Sequence, residues 1–232
     1  MNKLLWLLER PFIIWLLRYP LSPLLSLILK FWELNDELPT SDTSVQFIFL
    51  ISYAATPEGL TNGSLHTTRL VPELAKRYPC ATIIGGEFSN NPANTYEWDK
   101  KLAVLHRQGL NVDRAHNVGR VSSSIDEIFA MIRAADRFIQ LQNINNCIVV
   151  AEGAHSRRAR VVWRHYLPHT KIHFRSISAK HAADPKNPMA AQRYWQVWLV
   201  ANLIAFPLFK WFPGVERIAR KNPSQPVSFH SA

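Results

Sequence analysis

The 232-residue chain has only two cysteines and is short of acid: 17 carboxylates face 27 lysines and arginines, for a formal charge of +10. Cys80 and Cys147 each open an apolar run and read as small buried hydrophobes. Nothing in them requires an oxidising compartment, and neither has metal-ligand spacing. No zinc signature is present. His165, His169 and His173 recur every four residues, but Pro168 breaks the helix that would align them. The chain has no GxGxxG and no P-loop, so the common dinucleotide and nucleotide-hydrolysing motifs are missing. It also has no uninterrupted run of ~20 apolar residues, so a clean membrane span is not supported. The apolar stretch from Lys3 to Trp32 is cut by Glu9, Arg10, Pro11, Arg18, Pro20 and Pro23. No small-residue cleavage site follows it, which argues against a secretory signal.

What is there is apolar and basic. Nearly half the residues, 47%, are apolar, enough for a sizeable core in one domain. The basic excess suits nucleic acid, an anionic membrane surface or an acidic substrate. Eight tryptophans fall mainly in the terminal segments, and Trp prefers the lipid–water interface. That shifts weight to membrane. Nucleic acid rests on net charge alone, because no aromatic-interleaved basic stripe or recognition motif is present. Residues 1–34 read as two short broken helices. They either lie in a membrane interface, with Arg10, Arg18 and Lys30 reaching the headgroups, or pack on the domain as core.

Residues 35–44 form a polar linker to a domain over 45–213, and 214–232 is a polar tail. Val45–Ser52, Ala81–Ile84, 115–118, 147–151 and 172–177 read as strands, the first without alternation, as in a strand buried on both faces. Helices are expected over 64–78, from a cap at Asn94 or Thr95 to 108, from Ser122, Ser123 or Ser124 to 141, over 156–167, and over 190–211 with a break at Pro207. Alternating strands and helices predict an α/β, Rossmann-like three-layer domain with a mainly parallel sheet, plus apolar helical segments at both ends.

The most informative stretch is Cys147 to Arg160, where an apolar strand breaks at Glu152-Gly153 into a strongly basic helix start. In an open α/β sheet, ligands bind at that junction. A helix N-terminus, His155 and the arginines 157, 158 and 160 together favour an anion, phosphate above all, with Arg157 and Arg160 facing solvent or lipid headgroups as the alternative. His155 and Arg158 lie three apart, on one helix face. His155 is the acid/base candidate. Glu97 and Glu152 are candidates to orient a basic residue or activate water, and Glu87 also stands near a strand end. Arg69 and Ser124 are candidate substrate contacts, and Gly85-Gly86 is read as ending its strand so that backbone approaches the ligand.

On these residues the chain, over roughly 45–178, resembles the DUF218 family of SanA/YdcF/ElyC-like proteins. Arg69 matches an arginine in the helix after strand one, Gly85 and Gly86 a glycine pair, and Glu97 a glutamate opening a helix that stops at Gly109. Ser124 and Asp126 stand where that family has threonine and glutamate. His155, Arg158 and Ala159 match its His-x-x-Arg-Ala element. Two stretches depart from the pattern, Ser52–Ala55 after strand one and Ala151-Glu152 after the key strand. The resemblance implies a Rossmann-like domain tethered at the bacterial inner membrane or its surface and linked to envelope biogenesis, with no fixed reaction or cofactor. A phosphorylated small molecule or lipid-linked precursor is the expected partner. The alternative is a non-catalytic module for a small anion or nucleotide-like ligand, with a regulatory role, or a cytoplasmic protein.

Overall fold

The computed structural model describes residues 6–40, 45–88, 96–121 and 144–212, together with Glu127, Ile128, Ala130–Ile132, Ala134 and Ala135. Five strands form one all-parallel sheet in the order β3-β2-β1-β4-β5: β1 Phe47–Leu50, β2 Thr82–Phe88, β3 Ala115–Val121, β4 Asn146–Glu152 and β5 Lys171–Ile177. The helices whose bounds lie within the described residues are α1 Pro11–Arg18, α2 Ser22–Trp32, α3 Asn62–Arg77, α4 Glu97–Arg107, α5 Gly153–Tyr166, α6 Ala179–Ala182 and α7 Trp195–Trp211. This is the Rossmann-like three-layer α/β architecture expected from the alternation of strand and helix.

β1 and β4 lie at the centre and are apolar on both faces. Phe47, Phe49, Cys147 and Val149 point to one core with Trp163 and Phe174, against α5 and the described helical residues of 127–135. Ile48, Leu50, Ile148 and Val150 point to the other, with Val71, Leu74 and Leu105 of α3 and α4. Burial on both faces is why neither strand alternates in sequence. A third apolar cluster joins α1 and α2 to α7 through Leu17, Leu25, Leu29, Val197 and Leu199. The two N-terminal helices meet at 73°.

The linker is more than a spacer. Asp36 takes the Phe174 N–H at 2.8 Å and gives its own N–H to the Phe174 carbonyl at 2.9 Å, while Asn35 takes the Ser176 N–H at 3.0 Å. It thereby covers the free edge of β5, which would otherwise be open to strand pairing.

Several expected boundaries move. β2 does not stop at the glycine pair but runs through it to Phe88, because Gly85 and Gly86 serve close packing within the strand rather than a turn. A Cβ on Gly85 would lie 2.5 Å from the Trp98 ring. α5 starts at Gly153 rather than 156, since the Glu152 side chain caps it. α7 is not broken at Pro207: a proline removes one helical N–H, and Ala205 and Phe209, both buried, hold the turns on either side against the domain. Before α7, residues 190–193 are a separate 3₁₀ turn. Cys80 is exposed, because it sits in the turn before β2, whereas Cys147 is buried as expected. Gly109, at φ +79°, closes α4. The capping serines 122–124, Asn94, Thr95 and the tail from 214 lie outside the described residues.

Candidate functional site

The sheet reverses its winding between β1 and β4, so the crevice above their carboxyl ends is where an open α/β fold binds ligands. Ser52-Tyr53 leaves β1 there, and Glu152-Gly153-Ala154-His155 leaves β4. The crevice is filled by the protein's own groups. The Tyr53 hydroxyl accepts the Glu152 N–H at 2.7 Å and sits 3.3 Å from His155 Nδ1. The Glu152 carboxylate takes the Ala154 and His155 N–H groups at 2.9 and 3.1 Å. The Trp198 indole of α7 donates to it at 2.6 Å. A carboxylate thus occupies the place that a ligand anion would take at a helix N-terminus.

Burial sets the protonation of these groups. It pushes the Glu152 carboxyl up to about 7, against the pull of the hydrogen bonds from Ala154, Trp198 and His155. It pushes the His155 imidazole well below its usual range, helped by the Arg158 charge, so that His155 is neutral near pH 7. It also raises the Tyr53 phenol, with the Glu152 charge adding to the effect. The Arg158 guanidinium lies buried beneath the Trp198 and Phe209 rings, at 5.8 and 5.1 Å. A cavity of about 10 Å³, the size of one water, remains beside Tyr53, Glu152, Gln192, Trp195 and Trp198.

A second buried cluster braces the ends of β1 and β2. Glu97 accepts from Tyr53 N, Phe88 N and Ser64 Oγ at 3.0, 3.0 and 2.6 Å. Lys101, one turn on and fully buried, pairs with it at 3.1 Å. Lys101 also donates to Ser52 Oγ and the Gly86 carbonyl, both at 3.0 Å. Glu127 takes the Ser52 N–H at 2.8 Å, and burial pushes its carboxyl up to about 7, opposed first by the Lys101 charge.

Of the residues expected in one site, His155, Glu152 and Arg158 do come together. Glu97 is tied into the neighbouring brace, linked to them through Tyr53. The glycine pair offers no open backbone, since Trp98 covers Gly85 and Val118 and Glu127 crowd Gly86. Arg69 is exposed beside His66, because α3 turns Ser64, Thr67, Thr68 and Val71 inward instead. Glu87 is buried at the end of β2, which raises its carboxyl. Ser124 lies outside the described residues. The basic cluster disperses. Arg157 donates to the carbonyls of Phe31 and Trp32 and Arg160 pairs with Asp36, tying the N-terminal segment and the linker to α5. Sequence reasoning missed Tyr53, Lys101 and Trp198. Only Lys101 left a local signal, its four-residue spacing from Glu97. Among the described residues no group of three or more His, Cys, Asp or Glu side chains is arranged to hold a metal.

The raised carboxyls fix a pH dependence. In the unfolded chain Glu127 titrates near 4.5, and in the folded protein near 7. The folded state therefore holds the extra proton between those values, and stability from this group is full below about 4.5 and lost as pH rises through 7. In urea unfolding, the stability of the parent relative to Glu127→Gln is expected to fall from pH 5 to pH 8. A difference that stays flat or grows would contradict the assignment.

A separate surface stands out. The layer of α1, α2 and α7 turns Phe12, Trp15, Leu24, Leu27, Phe31, Ile204, Leu208 and Trp211 outward, all exposed. None of these three helices carries an acidic residue. Cations accompany aromatic rings around it: Arg10 lies 3.5 Å over Trp6, Arg18 4.2 Å over Tyr194, and Lys180 5.3 Å over Trp195. Among the described residues no single helix is long and apolar enough to cross a membrane, while α1 and α2 reach that length and composition only as a bent pair.

Compared with models of known protein families and with curated proteins, the chain matches none.

Proposed function

We propose that this is a membrane-surface protein of the bacterial envelope-biogenesis type that binds a phosphorylated or diphosphate-containing ligand at the β1/β4 crevice. The observation that carries the reading is the exposed, acid-free aromatic layer of α1, α2 and α7. A soluble monomer rarely leaves so many large apolar side chains in water on neighbouring helices. Interfacial helices do so, with rings and cations at the headgroup level. The ligand half rests on the fold's binding position, on the basic excess, and on His155 and Arg158 beside the first turn of α5. Of the motifs that resemble the DUF218 family, His155, Arg158 and Ala159 at the start of α5 support the ligand half.

Binding without turnover is the reading the crevice favours. Glu97 has three donors and a lysine on it, and Glu152 caps a helix, so neither is free to activate water. A turnover reading has one observation in its favour: burial keeps the His155 imidazole neutral near pH 7, as a general base requires.

Cosedimentation with vesicles containing an anionic phospholipid tests the membrane half. The intact chain is expected in the pellet at low salt, and a chain that stays in the supernatant would overturn it. Thermal unfolding with inorganic phosphate, diphosphate and nucleotide tests the ligand half. At ~100-fold excess over Kd a ligand of the folded state adds about 2.7 kcal/mol, which is a rise of roughly 5–10 °C in Tm. The rise is expected in the parent, with anionic vesicles present where it is absent without them, and not in His155→Ala/Arg158→Ala, and no rise with any anion in either condition would overturn the ligand assignment.

A further inference from the structure

From the position of α7 we infer that it is a lipid-responsive lid on the crevice, with Trp198 as its latch; this rests on the membrane-surface reading above. The helix has two working sides. Its inner side carries Trp198, Asn202, Ala205 and Phe209 against the domain, and its outer side turns Ile204, Leu208 and Trp211 to the surroundings.

The latch is specific. The Trp198 indole N–H holds the Glu152 carboxylate at 2.6 Å, and its ring lies 6.1 Å from the His155 ring and over the Arg158 guanidinium. Trp198 therefore lies against Glu152, His155 and Arg158 together. It also keeps Glu152 on the Ala154 and His155 N–H groups, where that anion would bind. Beside Trp198 and Glu152 the described residues leave room for about one water. An anion on the Ala154 and His155 N–H groups has to displace Glu152, and with it the Trp198 hydrogen bond.

The same helix is joined to the N-terminal layer. Gln196 donates to Ser22 Oγ at 3.2 Å, and the Trp32 and Phe206 rings meet edge to face at 5.2 Å. A force on the outer aromatic layer is thus transmitted to α7. An anionic lipid surface supplies that force. It takes up Ile204, Leu208 and Trp211, it attracts Arg10, Lys30 and Lys210, and it has no acidic residue on these helices to repel. Lipid favours the state in which α7 leans outward, Trp198 withdraws, and Glu152 is released to yield its place to a ligand. A ligand that binds two states unequally shifts their populations, and the lipid surface acts as that ligand here.

Labelling of His155 by diethyl pyrocarbonate, followed by peptide mass spectrometry, reads the latch directly, since this histidine is only 3% exposed. Cys147, buried in β4, reports global unfolding through its reactivity with a thiol reagent. On vesicles of anionic and neutral phospholipid, His155 labelling is expected to rise about tenfold or more, with Cys147 still protected. Trp198→Ala is expected to give the fast labelling without vesicles, and Trp198→Phe, which keeps a ring but loses the indole N–H, a rate between the two. A chain that pellets with the vesicles while His155 stays protected overturns the lid and leaves the membrane reading standing. Labelling that rises only together with Cys147 reactivity overturns it as unfolding. A chain that does not pellet overturns both.

Discussion

Replacing Glu97 by alanine is expected to destabilise the protein by about 3–5 kcal/mol, because it leaves a buried ammonium without its counter-ion. Lys101 is fully buried and its ion pair is with this carboxylate, at 3.1 Å, while burial holds the nearby Glu127 carboxyl up at about 7. The substitution also strips acceptors from the Tyr53 and Phe88 N–H groups and from Ser64 Oγ. In a chain of this size the loss corresponds to a fall in Tm of about 10 °C or more. Glu97→Gln keeps an acceptor for only one of the two N–H groups, which bind different oxygens, and loses the counter-charge, so it is expected to recover only part. Glu97→Ala/Lys101→Met removes the orphaned charge and is expected to be more stable than Glu97→Ala alone. Urea unfolding of the variants measures this, and a cost below about 1 kcal/mol for Glu97→Ala would be that of an exposed pair rather than a buried one. Tyr53 links the cost to the crevice. Its N–H is held by Glu97 and its hydroxyl accepts the Glu152 N–H just before α5, so a loosened brace is expected to loosen the β1/β4 crevice as well.

Phe12→Ser/Phe31→Ser is expected to weaken vesicle binding about a hundredfold while leaving stability in solution nearly unchanged. Both rings are mostly in water, 68% and 72% exposed, so the folded domain hardly depends on them. At a lipid surface each would bury apolar area worth about 1.5 kcal/mol, and two such losses make about two powers of ten in Kd. Titration of vesicles against the parent and the variant, beside urea unfolding of both, separates lipid contact from packing. Equal affinities would mean that these rings do not enter the lipid. A large loss of stability would mean that they belong to the core.

How far the sequence revealed this arrangement depended on how local each signal was. The parallel sheet was legible because Val45–Ser52 and Cys147–Ala151 are apolar without alternation, the mark of strands covered on both sides. The broken N-terminal helices were legible from Pro11, Pro20 and Pro23. The position of the crevice followed from the strand-to-helix junction at Glu152. Its contents did not. A glycine pair after a strand suits a turn or a close approach equally, and only the Trp98 ring across Gly85 decides between them. The run Arg157 to Arg160 looks like a phosphate cradle when its partners are unknown. Those partners, Phe31, Trp32 and Asp36, stand more than a hundred residues earlier in the chain. Trp198, whose indole holds the Glu152 carboxylate, has no neighbour in sequence to announce it.

The most direct test of the membrane-surface account is the affinity of the intact chain for vesicles of neutral lipid alone and of neutral lipid mixed with an anionic one, at low and high salt. Arg10, Lys30 and Lys210 stand exposed on or next to the aromatic layer, and each is worth about 1 kcal/mol near an anionic surface. Binding about a hundredfold tighter to the mixed vesicles is expected at low salt, with salt removing most of that difference and leaving the apolar contribution behind. Absence of binding to either vesicle, or binding indifferent both to lipid charge and to Phe12→Ser/Phe31→Ser, would contradict it.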